Sequence, residues 1–321
     1  NNLFRDPAII SLPKILRLPI SKLISIRRAS VAKKIYEHIG GCSPILLHTQ
    51  DQSKALEVSL NEYDTNNIYR VFISMRYWHP LSEETAKQVK EFCPDEILLL
   101  PLYPQFSTTT SASSIDDWKT ASLKAGLKIS TYVICCYPVD ESWTIAQSNL
   151  LKSQIRSLKK GENYRVLFSA HGLPKKIVEQ GDPYKWQVEN SAAAIATATE
   201  LEENSWAVCY QSRVGPLEWI GPSLDDELKR AAMDGLAVIV LPIAFVSEHS
   251  ETLVELDIEY KKIAETIGVP NFKRVPALGT DPDFIRGLRD LSITAFQKKI
   301  EFGPRENTRR CPPEATKCRC L

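Results

Sequence analysis

Short apolar runs recur along the chain, and they are continuous rather than alternating. Residues 44–48, 69–75, 96–101 and 130–135 form a first series, and 164–169, 206–210, 237–242 and 272–276 a second. A strand that is apolar at every position is covered on both faces. Helical patterns lie between the runs. In Ser82-Glu83-Glu84-Thr85-Ala86-Lys87-Gln88-Val89-Lys90, Ser82 reads as the N-cap. The alternation predicts an α/β fold of two similar Rossmann-like halves, with parallel sheets flanked by helices. The 321 residues suffice for two such units. The expected divisions are 1–150, 151–302 and an extension over 303–321, with a linker near 149–163. Basic and acidic residues number 40 and 39, so no global field holds nucleic acid. No apolar run approaches the ~18–20 residues of a membrane-spanning helix.

Several runs end in polar or aromatic clusters: 75–80, 103–107, 169–172 and 245–249. In open α/β sheets, ligands bind just beyond the carboxyl ends of strands. A site is therefore expected between the two sheets. His171, in Ser169-Ala170-His171-Gly172-Leu173-Pro174, follows one such strand. It is either a structural loop histidine or a catalytic one. A second cluster starts at Ser247-Glu248-His249 and continues as a helix carrying Glu251, Glu255 and Glu259. These lie four apart and share a face, where like charges destabilise an isolated helix by ~0.2–0.5 kcal/mol per pair. The plain reading is a solvated acidic face. The functional one is a path for hydrated divalent cations or protons. Tyr77, Trp78, Tyr103, Phe106, Trp219 and Phe245 gather near the same strand ends, as the walls of a flat apolar cleft would. The Gly- and Pro-bearing stretch 211–222 reads as a functional loop.

Two segments stand apart. Residues 9–24 mix apolar side chains with Lys14, Arg17 and Lys22, and their prolines are expected to break any long amphipathic helix. They read as a core-packed connection or as a lip that touches a membrane surface. Cys311, Cys318 and Cys320 crowd the last eleven residues, whereas Cys42, Cys93, Cys135, Cys136 and Cys209 are scattered. Three thiols in a polar tail make free thiols or a zinc site; a [2Fe–2S] cluster would need a fourth thiolate from the body.

At these segments the chain resembles ferrochelatases, of the bacterial type with a C-terminal cysteine cluster. The blocks that carry the resemblance are 75–81, 103–107, 168–174, 181–184, 211–216 with Trp219 and 221–222, and 242–245 through 248–260. The resemblance implies a lyase that inserts Fe²⁺ into protoporphyrin IX, giving protohaem and two protons, the last step of haem biosynthesis. It implies two similar Rossmann-like halves with the porphyrin between them. His171 matches the metal-site histidine and Glu251 its partner across the cleft. Glu255 and Glu259 match an acidic relay. Arg76, Tyr77, Tyr103, Trp219, Phe245 and His249 match the porphyrin cleft. It also implies a [2Fe–2S] cluster on Cys311, Cys318 and Cys320, with a fourth ligand in Cys135-Cys136. Cys136 is the choice and Cys135 its rival, because neighbours on a strand face opposite ways. A monomer or homodimer is expected, cytoplasmic and peripheral to the inner membrane. The chain starts at Asn1 with no initiator Met, and the strand that opens the family's N-terminal sheet is expected to be missing. A cobalt-inserting chelatase and a non-catalytic haem or metal carrier are the alternatives. Protoporphyrin and coproporphyrin are not distinguished, nor are the roles of iron ligand and proton acceptor for His171.

Overall fold

A computed structural model describes residues 2–6, 13–213 and 216–320. The first half runs through α1 (Asn2–Arg5), α2 (Lys14–Glu37), α3 (Ile45–Tyr63), α4 (Ser82–Phe92), β1 (Glu96–Leu99), α5 (Ser111–Ala125), β2 (Ser130–Val133) and α6 (Glu141–Arg156). The second runs through β3 (Tyr164–His171), α7 (Lys175–Glu179), α8 (Tyr184–Thr199), β4 (Trp206–Gln211), α9 (Leu224–Met233) and β5 (Ala237–Pro242). A π-helix (Glu251–Tyr260), α10 (Lys261–Thr266), β6 (Phe272–Arg274) and α11 (Pro282–Lys298) complete it. Every strand pairing is parallel: β1 with β2, and the order β4-β3-β5-β6. The α/β architecture with helix-flanked parallel sheets is thus the expected one.

The continuous runs have a direct structural cause. Val166 and Phe168 of β3, with Ile239 and Leu241 of β5, pack into one core against α6, α8 and α11. Leu167, Val238 and Val240 pack into a second core on the opposite face, with Leu224, Leu228 and Leu256. Successive residues of a strand point to opposite faces, so a sheet buried on both has no polar position to spare. Full burial of a side chain such as Phe168 contributes about 1.5–3 kcal/mol.

Two expected strands are not strands. Residues 44–48 open α3, with Pro44 before its first turn; Leu56 and Leu60, four apart, bury its face. A short apolar run does not by itself distinguish a strand from a helix start. Residues 69–75 form no ladder among the described residues beyond an isolated bridge from Met75 to Leu81. Side chains take their backbone groups instead. Asn61 donates to Tyr69 O (2.9 Å) and accepts from Tyr69 N (3.0 Å). Glu57 accepts from Val71 N (2.8 Å), and Thr85 donates to Ile73 O (2.6 Å).

Other expectations shift too. Leu81, not Ser82, is the cap of α4. Glu84 reaches back to accept from Leu81 N (2.9 Å), while the Ser82 hydroxyl turns to Asp117 (2.7 Å). Pro19 does not break α2, a 24-residue helix that continues through it. A proline removes one backbone donor, and nearby Ser21 and Ser25 hydroxyls donate to Leu18 O and Ser21 O. Of the expected lip, residues 9–12 lie outside the described residues and the rest begins α2. α6 carries the chain into the expected linker and stops at Arg156. Helix α11 packs back on α3, α6 and the β1–β2 sheet. The chain after it then runs beside β2: Val133 N donates to Ile300 O, Gly303 N to Val133 O, and Cys135 N to Gly303 O.

Candidate active site

His171 is the last residue of β3, opposite Gln211 of β4. Gly172 follows, in a tight spot: a Cβ would lie 3.0 Å from Gln211 O and 3.2 Å from the Trp219 ring, so either neighbour would have to give. The half-exposed imidazole directs Nδ1 at Gly172 O, 2.7 Å away. A carbonyl only accepts, so in the neutral ring the proton sits on Nδ1. The Nε2 lone pair then faces Glu251 Oε2 at 3.9 Å. That carboxylate oxygen is buried and has no hydrogen-bond partner among the described residues. Two acceptors facing each other across a gap call for a proton or a cation between them.

His249 supports Glu251 from the backbone side. Its Nδ1 accepts the Glu251 N–H at 3.0 Å, which leaves the proton of the neutral ring on Nε2. Burial pushes the imidazole pKa down against the opposing pull of Glu251 and Glu248, so it stays neutral near pH 7. The Phe245 ring lies 4.6 Å from it, centroid to centroid.

The acidic row is not on an α-helix, as expected, but on the π-helix. Lys261 N reaches back five residues to Leu256 O. Such turns are rare and gather at functional sites. Glu251 and Glu255 are half-buried and Glu259 is exposed, so the row runs outward to solvent. Glu255 accepts from the Ser212 hydroxyl at 2.7 Å. Burial raises its pKa, opposed by that hydrogen bond and reinforced by the charge of Glu251. Ser212 holds a left-handed backbone, φ 61°, a conformation serine adopts only when its surroundings fix it. Buried Gln211 accepts from Ser169 (2.7 Å) beneath the same carboxylate.

Three site residues escaped the sequence reading. Arg274 of β6 binds Glu248 (2.8 Å) and, through two nitrogens, both oxygens of Asp257 (2.7 Å each). It ties the π-helix to the strand end before it. Its signal was weak, a lone arginine in a late apolar run. Buried Asp6 accepts from Arg76 (2.7 Å), Tyr77 (2.9 Å) and Ser113 (2.9 Å). Buried Asp182 accepts from Ser107 (3.0 Å), Thr108 N (2.7 Å) and Tyr184 N (2.9 Å), joining the two halves.

The expected cleft residues fall into two groups. His171, Glu251, His249, Phe245 and Glu255 come together. Arg76 and Tyr77 belong to the Asp6 network, with the guanidinium also 3.3 Å from Asp117 and 5.1 Å from the Tyr77 ring centroid. Tyr103 is half-buried in the field of Arg76. Trp219 bridges to Pro174, and its buried indole N–H has no partner among the described residues.

The profile of the family described as ferrochelatase matches residues 1–295. The chain belongs to the ferrochelatase family. A ferrochelatase of Pelagibacter ubique (strain HTCC1062) is 50% identical over 324 residues, covering 100% of this chain and 92% of that one. One of Phenylobacterium zucineum (strain HLK1) is 48% identical over 321 residues, covering 99% and 91%. Among solved structures, SirB from Bacillus subtilis with Fe³⁺ superposes with a TM-score of 0.55 at 15% identity, over 79% of this chain and 93% of that one, a likeness of fold. As a ferrochelatase family member the chain is an enzyme, a metal chelatase of the lyase class.

This member of the ferrochelatase family gathers five thiols at its tail. Strand β2 ends at Val133, so Cys135 and Cys136 lie past it and do not diverge as strand neighbours would. Their sulfurs are 3.4 Å apart. Cys320 Sγ lies 3.1 Å from Cys135 Sγ. The Gln187 amide donates to Cys311 (3.2 Å) and weakly to Cys136 (3.6 Å). Hydrogen bonds from the Cys311 and Cys320 thiols pull the Cys318 pKa down. Among the described residues, no group of three or more His, Cys, Asp and Glu side chains is already placed to hold a metal ion.

Proposed function

We propose that the chain inserts Fe²⁺ into protoporphyrin IX, releasing two protons and giving protohaem. One observation carries the reading: the Nε2 lone pair of His171 faces Glu251 Oε2 at 3.9 Å, an oxygen that is buried and without a hydrogen-bond partner among the described residues. Metalation needs two pyrrole protons removed and the metal freed of water. A neutral imidazole accepts a proton or ligates Fe²⁺, and a carboxylate does either as well. His171 and Glu251 act at the macrocycle. His249, held neutral, orients Glu251. Glu255 and Glu259 pass protons or ions between cleft and solvent. Phe245, Trp219 and Tyr103 bind the macrocycle, with Arg76 and Tyr77 at the N-terminal strand end; binding energy spent on distorting it exposes the nitrogen lone pairs.

A [2Fe–2S] cluster would take Cys136, Cys311, Cys318 and Cys320, thiols that lie near one another but are not closed into a metal site among the described residues. Cys136, Cys311 and Cys320 line one cavity of about 90 Å³ together with Gln187, which favours Cys136 over Cys135. When bound, the cluster would fasten the tail to the body; metal insertion itself transfers no electron. Helix α2 exposes Ile15, Leu16, Leu23 and Ile26 and carries seven basic residues to one acidic. That composition suits contact with an anionic membrane surface, as for an enzyme peripheral to the inner membrane on its cytoplasmic side. No helix among the described residues is long and apolar enough to cross a membrane.

Metalation assays of the purified chain with Fe²⁺, Co²⁺ and Zn²⁺, on protoporphyrin and coproporphyrin, test the reading. Fe²⁺ insertion into protoporphyrin is expected. A preference for cobalt on a reduced corrin precursor would overturn it, as would tight porphyrin binding without turnover.

A further inference from the structure

Asp182 is buried just before α8, and its two oxygens serve different halves of the chain. Oδ2 accepts from the Ser107 hydroxyl (3.0 Å), Thr108 N (2.7 Å) and the Thr108 hydroxyl (2.6 Å), all in the first half. Oδ1 accepts from Tyr184 N (2.9 Å), in the second. We propose that Asp182 is a positioning residue for metalation, because it ties residues 105–108 of the first half to the tyrosine that backs His171. Its part in metalation rests on the function proposed above; the tie itself rests on geometry.

Tyr184 is the link. Its buried phenol oxygen receives a hydrogen bond from the His171 backbone N–H. Burial, then the charges of Glu251 and Asp182, push the phenol pKa up against that bond, so the hydroxyl stays neutral. Tyr184 thus stands behind His171 and in the field of Glu251, the two residues that face each other at 3.9 Å. Further along α8, Gln187 Oε1 accepts from Phe106 N (2.7 Å) and Ser191 Oγ from Gln105 Nε2 (2.9 Å). Gln105, Phe106, Ser107, Gln187 and Ser191 are all buried, where such hydrogen bonds are strengthened by the low dielectric. Residues 105–108 therefore lie along α8 as a strap. Asp182 holds the end that leads through Tyr184 to His171.

Four donors meet at this one carboxyl group. A carboxylate only accepts, so it satisfies them all. Asparagine has the same shape but sets an N–H₂ against either the Tyr184 N–H or the Ser107 and Thr108 donors. One side of the tie must then open. A misplacement of about 1 Å at a reacting group costs about 10²-fold in rate.

The test compares the full chain with Asp182→Asn, Tyr184→Phe and Thr108→Val. Tyr184→Phe keeps the backbone bond to Asp182 and removes the phenol behind His171. Thr108→Val removes one donor and leaves Thr108 N. Two quantities are measured below the melting transition: kcat and KM for porphyrin metalation, and hydrogen exchange by mass spectrometry over residues 168–174. In Asp182→Asn, kcat is expected to fall by about 10²-fold, with faster exchange at His171 and none gained in β5. Tyr184→Phe should share the loss of kcat, and Thr108→Val should act mainly on the porphyrin KM. A purely structural tie would lower the melting temperature but leave kcat of the folded protein and exchange at His171 unchanged; that result in Asp182→Asn overturns the proposal. Should Asp182→Asn not fold, wild-type kcat in both other variants overturns it equally. Wild-type protein that does not metalate porphyrin overturns the proposed function, while exchange at His171 still decides the tie.

Discussion

His171 and Cys136 both stand at or just past the end of a strand, yet different kinds of structure hold them. His171 ends β3, which is hydrogen-bonded along its length by β4 on one side and β5 on the other. Cys136 lies past β2, whose one ladder partner is β1 and whose other flank is covered by the tail itself. The first site is thus built on a double ladder between two packed cores. The second exists only once the last residues of the chain have docked. A change at the first should stay local, and a change at the second should move the tail.

His171→Ala is the sharpest way to break that contrast, and the largest effect. The side chain is half-exposed and the ladder does not need it. Loss of a positioned proton acceptor lowers the rate by about 10²–10⁴-fold. Thermal stability and iron–sulfur absorption should not change. Porphyrin metalation at saturating Fe²⁺ measures the first, and visible spectra with a melting curve the others. A variant as active as wild type would remove His171 from the mechanism. A variant that lost its absorption would show the two sites to be coupled, not separate.

Next in size is Arg274→Met. Arg274 is the one charge on Glu248 supplied by a neighbouring strand, and it also grips Asp257 on the π-helix. Removing it leaves Glu248 half-buried with only Ala277 N and Thr252 as donors among the described residues. The expected cost is about 2–3 kcal/mol, below that of a fully buried pair because Asp257 reaches solvent. Urea unfolding gives the cost. The cleft should fail first, with metalation lost at urea concentrations that leave the tail absorption intact.

These residues also show where the sequence was legible. The strands of the second sheet were plain because both faces are buried, which makes an apolar run continuous. Gly172-Leu173-Pro174 placed His171 at a strand end, where it is the last residue of β3 rather than a loop residue, and its role came from the resemblance. The π-helix was not legible: glutamates four apart stay neighbours whether hydrogen bonds span four residues or five. Residues 69–75 misled for a related reason. Their apolar pattern is that of a strand, but Asn61 and Glu57 take the backbone groups a ladder would. Asp182 lay in a block that carried the resemblance, but the roles of Asp6 and Asp182 were not legible, since a buried carboxylate is defined by the distant donors that surround it.

Gly181→Ala tests the tail from the body side. Gly181 has φ 95° and accepts from Lys317 N at 3.0 Å. A Cβ there would press on the Thr316 hydroxyl and sit 2.9 Å from Thr316 N. The left-handed backbone alone costs a side chain about 1–3 kcal/mol, and the clash pushes the tail off. Faster tryptic cleavage after Arg309 and Arg319 is expected, along with loss of iron–sulfur absorption. Porphyrin binding by fluorescence quenching should change less, unless Asp182, the next residue, passes the strain to Ser107 and Thr108.

The smallest effect is expected from Asp116→Asn, at the outer hold on the tail. Arg319 donates to both Asp116 oxygens, at 2.6 and 2.7 Å. The pair is exposed, so about 0.2–1 kcal/mol is at stake, and salt should shrink it. Its pH dependence identifies it. The hydrogen bond from Arg319 holds the Asp116 pKa below its ordinary value of 3.8, against a smaller push upward from burial. A depressed carboxylate stabilises the fold fully above its unfolded pKa, and the contribution is lost as pH falls through the folded one. Wild type should therefore be more stable than Asp116→Asn at neutral pH, and the gap should close only below about pH 4. Tail-selective proteolysis across that range reads the difference. A gap that closed between pH 6 and 7 would assign the tail's hold to a histidine or a thiol and not to this pair.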